Sequence, residues 1–196
     1  MNYQETMKFI AGSDVYSVGL IDETTYDPDS ADNVMSYKYF YSDKQYNDYE
    51  YLTMHGIHIF NEGELVNSAC VCSSGGKTRI HSTCSILEGN HLLLCCGSSI
   101  FCLTFPALDL FWTIKADHAT CFEILKHGDD YIVHGELEIS RLDRSGNMIW
   151  QFSGSDIFTT PTGKNDFILE DNKIKAINWE GIRFIIDAYT GEVLKD

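Results

Sequence analysis

One short phrase occurs twice in this chain. Asp143-Arg-Ser-Gly146-Asn-Met-Ile-Trp150 closes an apolar segment, turns on a glycine and opens the next segment. Asp187-Ala-Tyr-Thr-Gly191-Glu-Val-Leu194 does the same near the C-terminus. An aspartate can accept hydrogen bonds from the backbone of its own turn, and glycine supplies the positive φ that a tight hairpin needs. A strand–turn–strand unit cannot bury its apolar face alone, so the recurrence predicts neighbours stacked on one another.

The segments flanking these turns read as strands. Leu137–Leu142, Lys173–Asn178 and Ile182–Ile186 alternate apolar and polar residues, the period of a sheet with one buried face. Prolines are few, and Gly, Asn, Asp and Ser break the apolar runs at close intervals. Only Ala119–Lys126 suggests a short helical turn. His91–Asp117 and Asp130–Asp156 share one layout, ending in Trp112-Thr-Ile and Trp150-Gln-Phe, with registers 38 to 39 residues apart. Asp166–Asp196 keeps the strands but has Leu194 where the tryptophan would stand. Trp112 and Trp150 should therefore pack between adjacent units. About 40 residues holding four short strands is one propeller blade. Gly56–Phe60, Glu64–Cys72, Arg79–His81 and Cys84–Leu87 are compatible with a further, diverged blade. The chain divides on this reading into residues 1–54, an acidic, Tyr-rich β segment placed to close the ring, and the propeller-like repeats of 55–196. The expected fold is all-β, a small or abbreviated propeller-like domain.

The motif Asp-x-x-(Thr)-Gly-x-x-x-Trp with strands on both sides resembles the repeat of the PQQ-like, or quinoprotein-like, β-propeller superfamily, over roughly residues 85–196. The stretch from Cys121 through His134-Gly-Glu-Leu-Glu138 to Trp150–Phe158 also resembles small bacterial proteins, some of which serve as immunity partners in polymorphic-toxin systems. That resemblance implies a protein-binding scaffold. A full quinoprotein ring needs more chain than this, so the fold it implies must be shortened.

Charge bears on the partner. The sequence carries 29 acidic against 14 basic residues, a net charge of −15. Residues 1–64 hold 12 acids and 3 bases. Such a field repels phosphate, which argues against nucleic acid, and speeds encounter with a basic protein. Acids also serve solubility alone. The N-terminus lacks a basic region followed by an apolar core, and no apolar run reaches the roughly 20 residues of a membrane helix, so no membrane association is expected. Seven cysteines, mostly inside apolar runs, read as reduced core thiols of a cytoplasmic protein.

The chemistry-bearing residues do not assemble into a catalytic motif. Cys95-Cys96 ends a hydrophobic strand, so the two side chains should enter different layers. The PQQ-like resemblance brings to mind a vicinal disulfide against a quinone, but the rest of such a site is not present in the sequence. Cys70-x-Cys72 and His118-x-x-Cys121 lack the further ligands of a zinc site, and His55 and His58 fall on opposite faces of a strand. Gly75-Gly76-Lys77-Thr78 lacks the spacing of a phosphate loop and reads as a hairpin turn. Cys121, His134 and Glu136 have no spacing that predicts contact. Asp117 and Asp156 follow the tryptophan strands and should tie turns. Asp22–Asn33 lacks the alternation of a calcium loop. No cofactor or metal is expected.

The function these features point to is a non-enzymatic scaffold for a basic protein. Asp22, Glu23, Asp27, Asp29 and Asp32 would set electrostatic specificity, and Tyr37, Tyr39, Phe40 and Tyr41 would supply anchors. The competing expectation is a small-molecule or metal-dependent enzyme whose site is assembled from distant loops.

Overall fold

The computed structural model describes residues 3–11, 14–43, 53–163 and 166–195. The described residues form sixteen strands in four sheets. The first sheet holds β1 (Glu5–Ala11), β2 (Asp14–Asp22), β3 (Tyr39–Ser42), β4 (Thr53–Asn61) and β5 (Glu64–Ser73) in the order β1-β2-β4-β5-β3. β3 pairs in parallel with β5, and every other pair is antiparallel. The second sheet is β6 (Ser85–Glu88), β7 (His91–Cys96), β8 (Ser99–Thr104) and β9 (Leu110–Lys115). The third is β10 (Cys121–His127), β11 (Asp130–Gly135), β12 (Glu138–Leu142) and β13 (Met148–Ser153). The fourth is β14 (Phe167–Glu170), β15 (Lys173–Ile177) and β16 (Arg183–Asp187), with Val193 bridging to Ile186 where a fourth strand would begin.

The second, third and fourth sheets are meanders of the kind that forms a blade, the first departs from one by its parallel β3, and each sheet packs on the next in sequence. Val18, Leu20, Ile57 and Val71 meet Leu92, Leu94, Phe101 and Leu103 between the first and second sheets. Leu93, Cys95 and Ile100 meet Ile124, Tyr131 and Val133 between the second and third. Ile132 and Ile139 meet Phe158, Ile174 and Ile186 between the third and fourth. Among the described residues no core cluster joins the first sheet to the fourth. The result is an all-β, propeller-like stack in which, among the described residues, each core lies between consecutive sheets.

The repeated phrase locks neighbouring blades. Asp143 accepts from the backbone of Ser145 and Asn147, both at 2.8 Å, and Asp187 from Tyr189 and Thr190 at 2.8 and 2.9 Å. Gly146 and Gly191 have φ of 80° and 75°. Each glycine also lies under the tryptophan of the preceding blade: a Cβ on Gly146 would sit 2.6 Å from the Trp112 ring, and one on Gly191 2.7 Å from that of Trp150. The indole Nε1 donors reach the next blade's turn, to Arg144 O at 3.1 Å and Ala188 O at 3.3 Å. The two tryptophans thus pack between units, as their repeat positions predict.

Several local expectations change. Ala119–Lys126 does not turn as a helix; Cys121–His127 is strand β10, because pairing with β11 and burial of Cys121 and Ile124 override local propensity. Arg79–His81 forms no strand, and Cys84–Leu87 falls at the opening strand of the second blade. Gly75–Thr78 is no hairpin but part of the connection from the first blade to the second, with Gly76 N donating to Ala119 O at 3.0 Å. Residues on both sides of position 54 share the first sheet.

Candidate functional site

Of the residues nominated from sequence, Tyr37 and Phe40 lie with the acidic segment's Tyr26 on the outer face of the first sheet, whereas Tyr39 and Tyr41 face the second blade. Tyr26, Tyr37 and Phe40 cover Met54, Cys70 and Cys72 there. Tyr37 stacks on His58 and donates its hydroxyl to Glu23 at 2.5 Å, and its p
Ka is pushed up, first by burial and then by that carboxylate. Tyr39 and Tyr41 pack on the core between the first two blades, and the Tyr41 hydroxyl donates to Leu108 O at 3.0 Å. Asp22 is paired with Lys77 at 2.6 Å. Glu23 is therefore engaged in holding the cap and Asp22 in pairing with Lys77, whereas Asp27, Asp29 and Asp32 are exposed. Asp27 accepts from Asp29 N and Asn33 donates back to the carbonyls of Asp27 and Ser30, which shapes the loop from within. Beside them Val34 is 97% exposed. The Tyr-rich stretch continues to Tyr51, and its residues 44–52 lie outside the described residues.

A second concentration of chemistry was not visible in the sequence. A cleft of about 340 Å³ is lined by Lys77, Arg79 and His81 on the first connection, by Phe122, Glu123 and His134 on the third blade, and by Asp166 on the approach to the fourth. His134 is buried, sandwiched between Phe167, parallel at 4.3 Å, and the edge-on ring of Phe122 at 5.4 Å. Its Nε2 faces Phe158 O at 2.8 Å and its Nδ1 faces Glu123 Oε2 at 3.1 Å. Both ring nitrogens thus face oxygen atoms of the protein. Glu123 also accepts from the Thr83 hydroxyl at 2.6 Å. Burial opposes its ionisation, but the bonds from His134 and Thr83 prevail and hold its pKa below the usual carboxylate range. With both nitrogens engaged, His134 offers no lone pair to a substrate.

The remaining sequence candidates are structural in their surroundings. Cys95 and Cys96 are fully buried and belong to different interblade cores, as strand alternation predicts. All seven cysteines are buried and unpaired, and burial pushes the Cys72 thiol up to about 11 and that of Cys102 to about 12. Asp117 accepts four backbone N–H donors, from Ala119, Thr120, Leu137 and Glu138, and so ties the second connection to the hairpin of the third blade. Glu136 accepts from the Thr120 hydroxyl at 2.7 Å. Asp156 accepts from Ile157 N. Among the described residues no three His, Cys, Asp or Glu side chains converge as metal ligands, and no helix is long and apolar enough to cross a membrane.

No known family model matches the sequence, and no curated protein matches it. Among solved structures the chain is similar to the computationally designed Ika8 protein, with a TM-score of 0.51 at 11% identity over 78% of this chain and 47% of that one. It is similar to the AfRom2 CNH domain, with a TM-score of 0.51 at 8% identity over 98% and 54%. BamB from Moraxella catarrhalis gives 0.50 at 16% identity over 71% and 42%. The chain spans about half the length of these structures. At such identities the likeness concerns the fold, and that fold is all-β and propeller-like.

Proposed function

We propose that the chain is a non-enzymatic scaffold that binds a basic protein through the acidic loop capping its first blade. The observation that carries this reading is the loop itself: Asp27, Asp29 and Asp32 stand exposed around Val34, an apolar side chain 97% exposed. Charge around a protruding apolar group is the composition of a contact whose rim steers association while its centre excludes water. The net charge of −15 extends the attraction beyond the loop. Within this reading, the finer assignment is an immunity protein that neutralises a basic toxin domain, supported by the resemblance of Cys121–Phe158 to small bacterial proteins of that kind.

The test begins with affinity capture from cells of the source organism at low and moderate salt. The basic protein retained at low salt is then purified, and its affinity is measured against the wild type and against a variant combining Asp27→Asn, Asp29→Asn, Asp32→Asn and Val34→Ser. A loss of tenfold or more, with a flatter salt dependence, is the expected result. Equal affinity and equal salt dependence in the variant would exclude the loop as the docking surface. Retention of no basic protein would reject the proposal. The immunity assignment adds a second requirement, that co-expression of the wild type relieves growth arrest caused by the captured protein.

A further inference from the structure

The cleft beside His134 has a donor pattern that the scaffold reading leaves unused. Lys77, Arg79 and His81 alternate along an extended segment and all line it. Alternate residues of extended backbone point to one side, so three nitrogen-bearing side chains are presented together, in a chain with only 14 lysines and arginines. Their commitments differ. Lys77 is held in place by Asp22 at 2.6 Å. The Nδ1 of His81 lies 3.1 Å from the Thr83 hydroxyl oxygen, whose own proton goes to Glu123, so His81 is committed to Thr83. Arg79 is exposed and has no carboxylate within ion-pair distance among the described residues.

Both acids of the cleft accept hydrogen bonds from within the protein. Glu123 is taken by His134 and Thr83. Asp166 Oδ2 accepts from Thr160 N at 3.0 Å and from the Thr159 hydroxyl at 3.2 Å. The unused donors of the cleft are a guanidinium fork and the remaining ammonium protons. Phe122 supplies an apolar wall beside them. A guanidinium fork matches the two oxygens of a carboxylate or phosphate, and an aromatic wall favours an apolar or planar group next to that anion.

We infer that this cleft binds a small molecule carrying an oxyanion group, carboxylate or phosphate, next to an apolar ring, with Arg79 on the oxyanion, the Lys77 ammonium beside it and Phe122 against the ring. The site lies where the first and third connections converge on the third blade, separate from the acidic loop, so it stands or falls independently of the protein-binding proposal.

The experiment is a two-dimensional amide NMR titration of the full chain with benzoate and with inorganic phosphate, at constant ionic strength maintained with sodium chloride. The expected result is saturable shifts at the amides of residues 77–83 and 122–123, absent when only the chloride concentration is changed. Tighter binding of benzoate than of phosphate supports the ring contact, and the reverse order removes Phe122 from the site. Arg79→Gln weakens binding tenfold or more, and Lys115→Gln on β9 leaves it unchanged. Arg79 is exposed, so a retained, well-dispersed spectrum shows that its variant still folds. Shifts that rise without saturation, that chloride reproduces, or that survive in Arg79→Gln would overturn the inference.

Discussion

The contact between Gly146 and Trp112 allows a prediction with its own internal standard. Gly146→Ala meets two obstacles. At φ of 80° an L-residue loses roughly 1 kcal/mol relative to glycine. The new Cβ would also lie 2.6 Å from Cδ2 of Trp112 and 3.0 Å from Cγ, so the ring must shift near its root, where it has little freedom. That shift breaks the bond from Nε1 to Arg144 O, about 1 kcal/mol, and about another 1 kcal/mol of ring packing. The total is about 3 kcal/mol. Gly128→Ala isolates the first contribution, because Gly128 has φ of 58° and nothing within 4 Å of its would-be Cβ; its cost is about 1 kcal/mol. Urea unfolding followed by fluorescence and circular dichroism measures both, with coincidence of the probes checking two-state behaviour. In a Trp112→Ala background, Gly146→Ala should fall to about 1 kcal/mol, a coupling of about 2 kcal/mol in the double-mutant cycle. The reasoning fails if Gly146→Ala costs no more than Gly128→Ala, or if removing the indole leaves its cost unchanged.

Three further outcomes are expected. His55 and His58 are buried, and desolvation holds both below their ordinary pKa; since the unfolded chain binds protons first, stability should fall as pH drops below about 6.5, by up to about 1.4 kcal/mol per pH unit for each histidine. Urea midpoints between pH 7.5 and 5 test this, and a flat profile there would contradict it. The buried thiols should react with a disulfide reagent only at the rate of unfolding, so a fast-reacting thiol in the native protein would contradict the burial of all seven cysteines. Trp150→Ala should cost about 2–3 kcal/mol, less than a fully buried aromatic because the ring is only half-buried, and a melt unchanged from wild type would remove it from the interblade contact.

Much of the architecture could be read from sequence because it rests on local chemistry. The Asp-to-backbone bonds, the positive-φ glycines and the tryptophan four residues past Gly146 are all short-range, and period-two alternation in Lys173–Ile177 has one solution. Boundaries were harder. Cys121–His127 carries polar residues whose partners, Thr83 and His134, lie far away in sequence, and only the assembled sheet shows why they belong on a strand. The first sheet was obscured for a similar reason, since β1 and β2 reach β4 across the long acidic loop. The cleft was the least legible. Its members come from three separated segments, and the sequence sets His134 next to Glu136, whereas the fold sets it beside Glu123. The one local signal was the alternation of Lys77, Arg79 and His81.

The two ends of the stack have different consequences for how the molecule comes apart. At one end a cap of aromatic rings covers the outer face of the first sheet. At the other, Lys173, Lys175 and Arg183 stand exposed on the fourth sheet, with Ile168 and Val193 39% and 50% exposed between them. When each unit gains stability only from its neighbours, the free energy of opening depends on position, and a unit with one interface has the least to lose. The fourth sheet should therefore exchange its amide hydrogens through a separate, cheaper opening while the second and third remain closed. Such a molecule frays from its C-terminal blade inward, like a row of coupled units rather than a ring in which no unit is last.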